Sequence, residues 1–350
     1  MRKPPWIAAL LLSSIFAPAA HAGAIYAFGD SLSDVGNVYI YTGGVTPAAP
    51  YVNGQFTNGN VWVQDLASLL GAGPLTPSLA GGTDYAYGGA ETGVTPFNTS
   101  LAASDLVGAT GQIAQFYATH AFADPNALYT IWIGGNDLID ILKSGPPTQA
   151  AAASDANMSV ANIDAAINEL AAGGAKNFLL LTMPQFVLNA PEVVAAGLQT
   201  QGSVLGTYFN STLVNGAGAI PSLSTLAIDD SVHISVLSDF ISNPFADGFT
   251  NVNSPCYTGT YEGFANAADP GTVCPNPNQY LFWDGLHPTA AADAVIADAA
   301  FATVAAPEPS SMLLLATGLL CLLACSTWIG KAKTIGDLER KQPGCSDKVH

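Results

Sequence analysis

Ile25-Tyr26-Ala27-Phe28-Gly29-Asp30-Ser31-Leu32-Ser33-Asp34-Val35-Gly36-Asn37 is the stretch on which the reading of this chain turns. Residues 24–28 carry little polarity and predict a short buried strand. Gly29 ends it, and Asp, Ser, Gly and Asn then crowd a turn. A serine set where a buried strand breaks has its hydroxyl on a rigid support facing a crevice, which suits a nucleophile. A bare Gly-Asp-Ser serves equally well as a helix cap, so the segments further out decide.

Working outward, apolar runs alternate with helical spacing. Residues 43–60 and 71–82 are rich in Gly, Pro, Asn and Thr and predict loops, with a helix between them over 61–70. Helices are also predicted over 111–122, 150–172 and 192–215. The continuous apolar runs 127–133, 177–182 and 232–237 predict buried strands, as in the middle of a parallel sheet. Residues 238–245 read as helix or loop, and 254–278 as loop. Such alternation argues for an α/β chain with three layers, α/β/α, around a mostly parallel central sheet.

Three further polar motifs fall at the ends of these elements. In Asp84-Tyr85-Ala86-Tyr87-Gly88-Gly89-Ala90 a short strand ends on a glycine pair, where the backbone can approach a ligand closely. Gly134-Gly135-Asn136-Asp137 follows the 127–133 strand, and an uncharged amide there can donate to a developing oxyanion. In Trp283-Asp284-Gly285-Leu286-His287-Pro288 a carboxylate and an imidazole lie three residues apart. Read as the start of a helix, that spacing lets Asp284 hold Nδ1 of His287 and leaves Nε2 to take a proton from serine. Metal ligation also uses Asp-x-x-His, but no further His, Cys or acidic cluster completes a site. His233 reads as a core residue and His120 as solvated.

In this order the four blocks resemble the GDSL, or SGNH, family of esterases and lipases, over roughly residues 24–304. Gly54-Gln55-Phe56-Thr57-Asn58-Gly59-Asn60-Val61-Trp62 resembles the family's usual continuation. The resemblance implies a flavodoxin-like sheet with the site at the carboxyl ends of its strands. It implies Ser31 as nucleophile, His287 as base and Asp284 as its orienter. The oxyanion hole it implies is made by Ser31, Gly89 (or Gly88) and Asn136, with no metal or organic cofactor. Position 33 is Ser rather than Gly, so the chain lacks the Gly-x-Ser-x-Gly elbow of α/β-hydrolases. The expected substrates are carboxylic esters, lipid or short-chain. Loops 43–60 and 250–280, with Phe56, Tyr257 and Tyr261, are expected to shape an acyl pocket. Two alternatives stay open, an acetyl esterase acting on polysaccharide and a catalytically silent surface-binding module.

Composition fits an exported enzyme. Only 10 % of the 350 residues are charged and the net charge is −17. Residues 23–306 hold 22 Asp and Glu against Lys143 and Lys176, hence −20. That surface repels phosphate backbones and excludes nucleic acid as a partner. Arg2 and Lys3, an apolar run over 6–16 and Ala20-His21-Ala22 predict a signal peptide over 1–22. The hydrolase domain is expected over 23–306. In an exported chain Cys256 and Cys274 most simply pair as a disulfide.

Beyond Pro307-Glu308-Pro309, residues 310–330 carry no charge and are long enough to cross a bilayer, with Lys331 and Lys333 behind them. Pro-Glu-Pro, apolar span and basic residues together resemble a PEP-CTERM sorting segment, here 307–331. That resemblance implies a Gram-negative bacterium, an exosortase-type processing partner and delivery to the cell surface. Such segments usually end soon after the basic residues, whereas this chain carries a tail over 332–350.

Overall fold

The computed structural model describes residues 23–93, 108–144, 149–184, 190–217, 225–229, 244–259 and 270–305. The predicted signal peptide, apolar segment and tail lie outside the described residues, as do 232–237, His233 and Tyr261. The chain divides into two compact units, Met1–Val304 and Ala305–His350, and Ala305 alone is described in the second.

The apolar runs form a parallel sheet. β1 (Ile25–Gly29), β2 (Leu128–Trp132), β3 (Asn177–Leu181) and β4 (Thr225–Asp229) lie side by side in that order. All three pairings are parallel. β4 is a strand that the sequence reading does not anticipate, because Pro221 and the Asp229-Asp230 pair bracket a run of only four apolar-leaning residues. The tyrosine segment predicted as a strand is a partial one. It runs along the outer edge of β1, with Tyr85 N–H donating to Ala27 O at 2.7 Å and Tyr87 N–H to Gly29 O at 3.2 Å. Across the sheet the order is therefore 83–87, β1, β2, β3, β4, the flavodoxin-like arrangement. Strands are added on one side of β1 by 83–87 and on the other by β2, so the winding reverses there, and ligands of open α/β sheets bind at such a switch point.

Register fixes the two faces. Tyr26 lies opposite Tyr129, and Tyr129 opposite Phe178. Against this face α3 (Ala109–Thr119) lays Phe116, 5.1 Å from the Tyr26 ring. α5 (Gln149–Ala172) packs between α3 and α7 (Gln199–Ala217). Trp132 points the other way and meets Trp62 of α2 (Trp62–Leu70) edge-on at 5.6 Å. α2 buries Trp62, Val63, Leu66, Ala67 and Leu70, one apolar stripe, and stops where Gly71 turns left-handed at φ 66. α8 (Ala290–Ala305) starts against the loop before α2, its Ala290 N–H held by Asn58 Oδ1 at 2.8 Å.

Three expectations need correction. The single helix over 192–215 is two, α6 (Pro191–Ala195) and α7, broken at Gly197 with φ 71. Gly134-Gly135 does not simply close a strand but opens α4 (Gly135–Lys143). Its apolar positions 138, 139, 141 and 142 carry the helical signal that the glycines obscure. His120 is half-buried rather than solvated, stacked on Phe116 at 4.4 Å and within 3.3 Å of Tyr26 Oη.

Candidate active site

Ser31 sits in the first turn past β1, ahead of α1 (Asn37–Tyr41). Ser33 and Asp34 N–H groups both donate to Asp30 O, and Leu32 N–H donates to Asp30 Oδ1, so the turn is closed around the serine. Its Oγ is 2.8 Å from His287 Nε2, and His287 Nδ1 is 2.8 Å from Asp284 Oδ2. The three residues are brought together across 256 positions of sequence and are buried.

Asp284 and His287 are not in a helix. They occupy the turn between β6 (Tyr280–Phe282), which pairs with β5 (Asn251–Pro255), and α8. Pro288 disfavours helical backbone at His287, so the helix starts only after Thr289. Asp284 instead forms its own turn, its Oδ1 accepting from Leu286 N–H at 2.8 Å and His287 N–H at 2.7 Å. The spacing argument thus survives with a different backbone.

The glycine pair lies beside this relay. Tyr87 O accepts from Ala90 N–H at 3.0 Å, and Gly89 at the third position has φ 80. That is a type II turn, whose third residue favours glycine. Gly88 N–H donates to Asp34 Oδ2 at 2.9 Å, so it is engaged inside the protein. A Cβ on Gly88 would come within 2.3 Å of the Phe56 ring, and that ring lies 5.3 Å from the His287 ring. Asn136 stands in the first turn of α4 rather than in a loop. Its Nδ2 donates to Ala90 O at 2.8 Å, leaving one amide hydrogen beyond that bond. Asp30, Ser31, Leu32, Gly135, Asn136, Ile139, Leu286 and His287 line one cleft.

Residues that the motif reading passes over hold these parts in place. Asp34 accepts four backbone N–H groups, from Gly36, Asn37, Val38 and Gly88. Asn37 Nδ2 reaches Asp84 O and Ala86 O, each at 2.9 Å, and so fixes the strand that leads to the glycine pair. Asp137 accepts from Thr92 N–H and Oγ1 at 3.0 and 2.6 Å, joining α4 to the same loop. Tyr51 Oη donates to Asp284 Oδ2 at 2.6 Å. Cys256 and Cys274 are joined as a disulfide, and Cys256 packs with Tyr51, Tyr257 and Trp283 behind Asp284. Tyr257 and Phe56 are therefore support for the turn; neither lines the cleft.

Electrostatically, Asp30 in the cleft wall is one of several buried carboxyls on this side of the sheet. Burial pushes Asp30 up to about 7, against the opposing pull of the Leu32 N–H and the His287 charge. Burial likewise lifts Asp34 to about 6 despite its four N–H donors. Asp84 is raised well above the usual carboxylate range by burial and by Asp34 beside it.

A serine, histidine and carboxylate in hydrogen-bonded line, at the switch point of a doubly wound sheet, define a serine-hydrolase type of site. Residues 25–300 match the family GDSL-like Lipase/Acylhydrolase, and residues 305–326 match the PEP-CTERM protein-sorting motif. The chain belongs to that lipase/acylhydrolase family and carries a PEP-CTERM sorting motif. Among curated relatives it is 29 % identical to an uncharacterized protein of Pseudomonas putida, over 89 % of this chain and 55 % of that one. It is 26 % identical to the phosphatidylcholine-sterol acyltransferase of Aeromonas hydrophila, over 79 % and 88 %. It is 25 % identical to Lipase 1 of Photorhabdus luminescens, over 97 % and 58 %. The chain spans little more than half the length of the first and third of these.

Proposed function

We propose that the protein hydrolyses carboxylic esters through a Ser31 acyl-enzyme. The single observation that carries this is the line Asp284–His287–Ser31, with both bonds at 2.8 Å. Ser31 Oγ attacks the carbonyl carbon as its proton passes to His287 Nε2, and Asp284 orients the imidazole and stabilises its charge. His287 then protonates the departing alkoxide, and water repeats the sequence to release the acid. The oxyanion is held by Ser31 N–H, Gly89 N–H and Asn136 Nδ2. Gly89 takes this role over Gly88, since Gly88 N–H already serves Asp34.

A fluorophosphonate is expected to label Ser31, and Ser31→Ala to abolish labelling and ester hydrolysis together. Hydrolysis at the wild-type rate in that variant would remove the mechanism. His287→Ala should be nearly as damaging, because the two groups act as a unit.

Delivery follows from the two ends of the chain. Residues 1–22 act as a signal peptide with cleavage after Ala22, and residues 310–330 as a membrane span recognised by an exosortase-type enzyme. The PEP-CTERM match supports sorting to the surface of a Gram-negative cell. Among the described residues no helix is long and apolar enough to cross a membrane, and the proposed span lies outside them. Full-length protein should fractionate with membranes; recovery in the soluble fraction with residues 310–330 intact would refute the anchor.

A further inference from the structure

The cleft at Ser31 does not end at Asn136. Ile139 and Leu286, on its wall, also line a second hollow completed by Leu142, Val193, Ala196 and Leu198. The two hollows therefore adjoin at these side chains. The second hollow is a shallow, open groove with about 50 Å³ of space of its own. Its lining is aliphatic except at the outer rim, where Lys143 Nζ and Glu192 Oε1 form an ion pair at 3.4 Å.

The hollow exists because the predicted long helix is broken. α6 ends in the left-handed turn at Gly197, and Leu198 N–H turns back to Val193 O at 3.1 Å. That presents Val193, Ala196 and Leu198 toward α4. Glu192 N–H donates to Gly285 O at 3.0 Å, which ties this wall to the turn carrying Asp284 and His287.

From this adjacency we infer that the groove between α4 and α6 receives the acyl chain of the ester, and that the protein is built for chains of medium length. The inference rests on the acyl-enzyme reading above. Among the described residues, an ester whose carbonyl lies at Ser31 and Asn136 finds an aliphatic path leading away past Ile139 and Leu286. Asn136 and Lys143 are seven residues apart on α4, about 10 Å along its axis. An alkyl chain with C–C bonds of ~1.5 Å and near-tetrahedral angles advances about 1.25 Å per carbon, so about eight carbons reach the ion pair. Shorter chains leave the groove wet. Longer ones must pass two charged groups and gain nothing further.

The test is kcat/KM of the full-length protein on p-nitrophenyl esters from acetate to palmitate. The rate constant should rise by up to about fourfold per methylene toward the octanoate, and then level or fall. Ala196 is exposed at the groove mouth, so Ala196→Trp can fill the groove without disturbing the core. It should lower the octanoate-to-acetate ratio at least tenfold, and Ala196→Phe should lower it less. A flat chain-length profile, or an unchanged ratio in both variants while esters are still turned over, would overturn the groove. Absence of ester turnover and of Ser31 labelling in the wild type would instead strike the acyl-enzyme reading itself.

Discussion

Tyr51 and Asp284, 233 residues apart in sequence, are joined by a 2.6 Å hydrogen bond from the phenol to Oδ2, the same oxygen that faces His287 Nδ1. The carboxylate therefore divides its charge between an imidazole and a phenol. With Oδ1 held by two backbone N–H groups, its orientation is fully determined. Tyr51 is in this sense a positioning residue, acting through Asp284.

Tyr51→Phe keeps the ring, which packs edge-on against Trp283 and Tyr257, and removes only the donor. A hydrogen bond to a charged group is worth about 1.5–3 kcal/mol, so kcat/KM should fall roughly tenfold or more. Because the phenol touches Asp284 and not the substrate, the loss should fall on kcat, with KM little changed. A loss carried by KM alone would separate Tyr51 from the positioning of Asp284.

Asp34→Asn tests the link between the nucleophile's turn and the glycine pair. An amide has one acceptor oxygen, whereas Asp34 uses both oxygens to accept N–H groups. In the variant an NH2 must face other N–H donors, either those of Gly36 and Asn37 or those of Val38 and Gly88. The expected result is a kcat loss of about 10–100-fold with a smaller change in KM, because a loosened Gly89 is felt most when the oxyanion forms. A change in KM alone would separate Asp34 from the oxyanion loop.

Asn136→Ala should cost about 10²–10³ in kcat, the worth of one such donor, with little change in KM. Because Asn136 also holds Ala90 O, Asn136→Asp is the informative companion. It keeps the size of the side chain, removes both amide hydrogens and sets a negative charge toward the oxyanion, so it should be at least as damaging as alanine. An aspartate variant more active than the alanine one would place the residue's role in substrate binding.

How much of this is legible in the chain differs by kind of feature. Strands β1, β2 and β3 announce themselves because both faces of a parallel sheet are covered, so Ile25, Leu128, Leu179 and their neighbours form unbroken apolar runs. The candidate site residues Ser31, Gly89, Asn136 and Asp284–His287 stand out through the family resemblance of their motifs taken together, since each alone serves equally well as a cap or turn. What is not legible is contact between distant segments. Nothing around Tyr51, in a loop of Pro, Gly and Asn, points to a carboxylate 233 positions away. Phe56 reads as a possible substrate contact, yet it fills the space that Gly88 leaves without a Cβ. The start of α4 is hidden by Gly134, whose φ of 116 is a conformation chosen by the tertiary fold. The break at Gly197 follows the same logic, since one glycine in a helical pattern costs only about 1 kcal/mol and does not by itself end a helix.

The buried carboxyls make a prediction about stability and pH. Asp30 is raised to about 7 and Asp34 to about 6, and Asp84 and Asp293 are raised as well, with burial the leading cause in each. In the unfolded chain aspartate loses its proton near pH 4. Between about pH 4 and 7 the folded state therefore binds more protons than the unfolded one. Stability then decreases as pH rises through that window. Melting should occur at a higher temperature at pH 5 than at pH 8. Asp293, on α8 and facing Asp65 of α2, isolates the effect because it lies away from the cleft residues. Asp293→Asn replaces a protonated carboxyl by a neutral group of the same shape, so the difference in Tm between the two pH values should shrink. A protein that melts higher at pH 8, or an Asp293→Asn variant that keeps the whole difference, would show that these carboxyls are ionised in the folded chain.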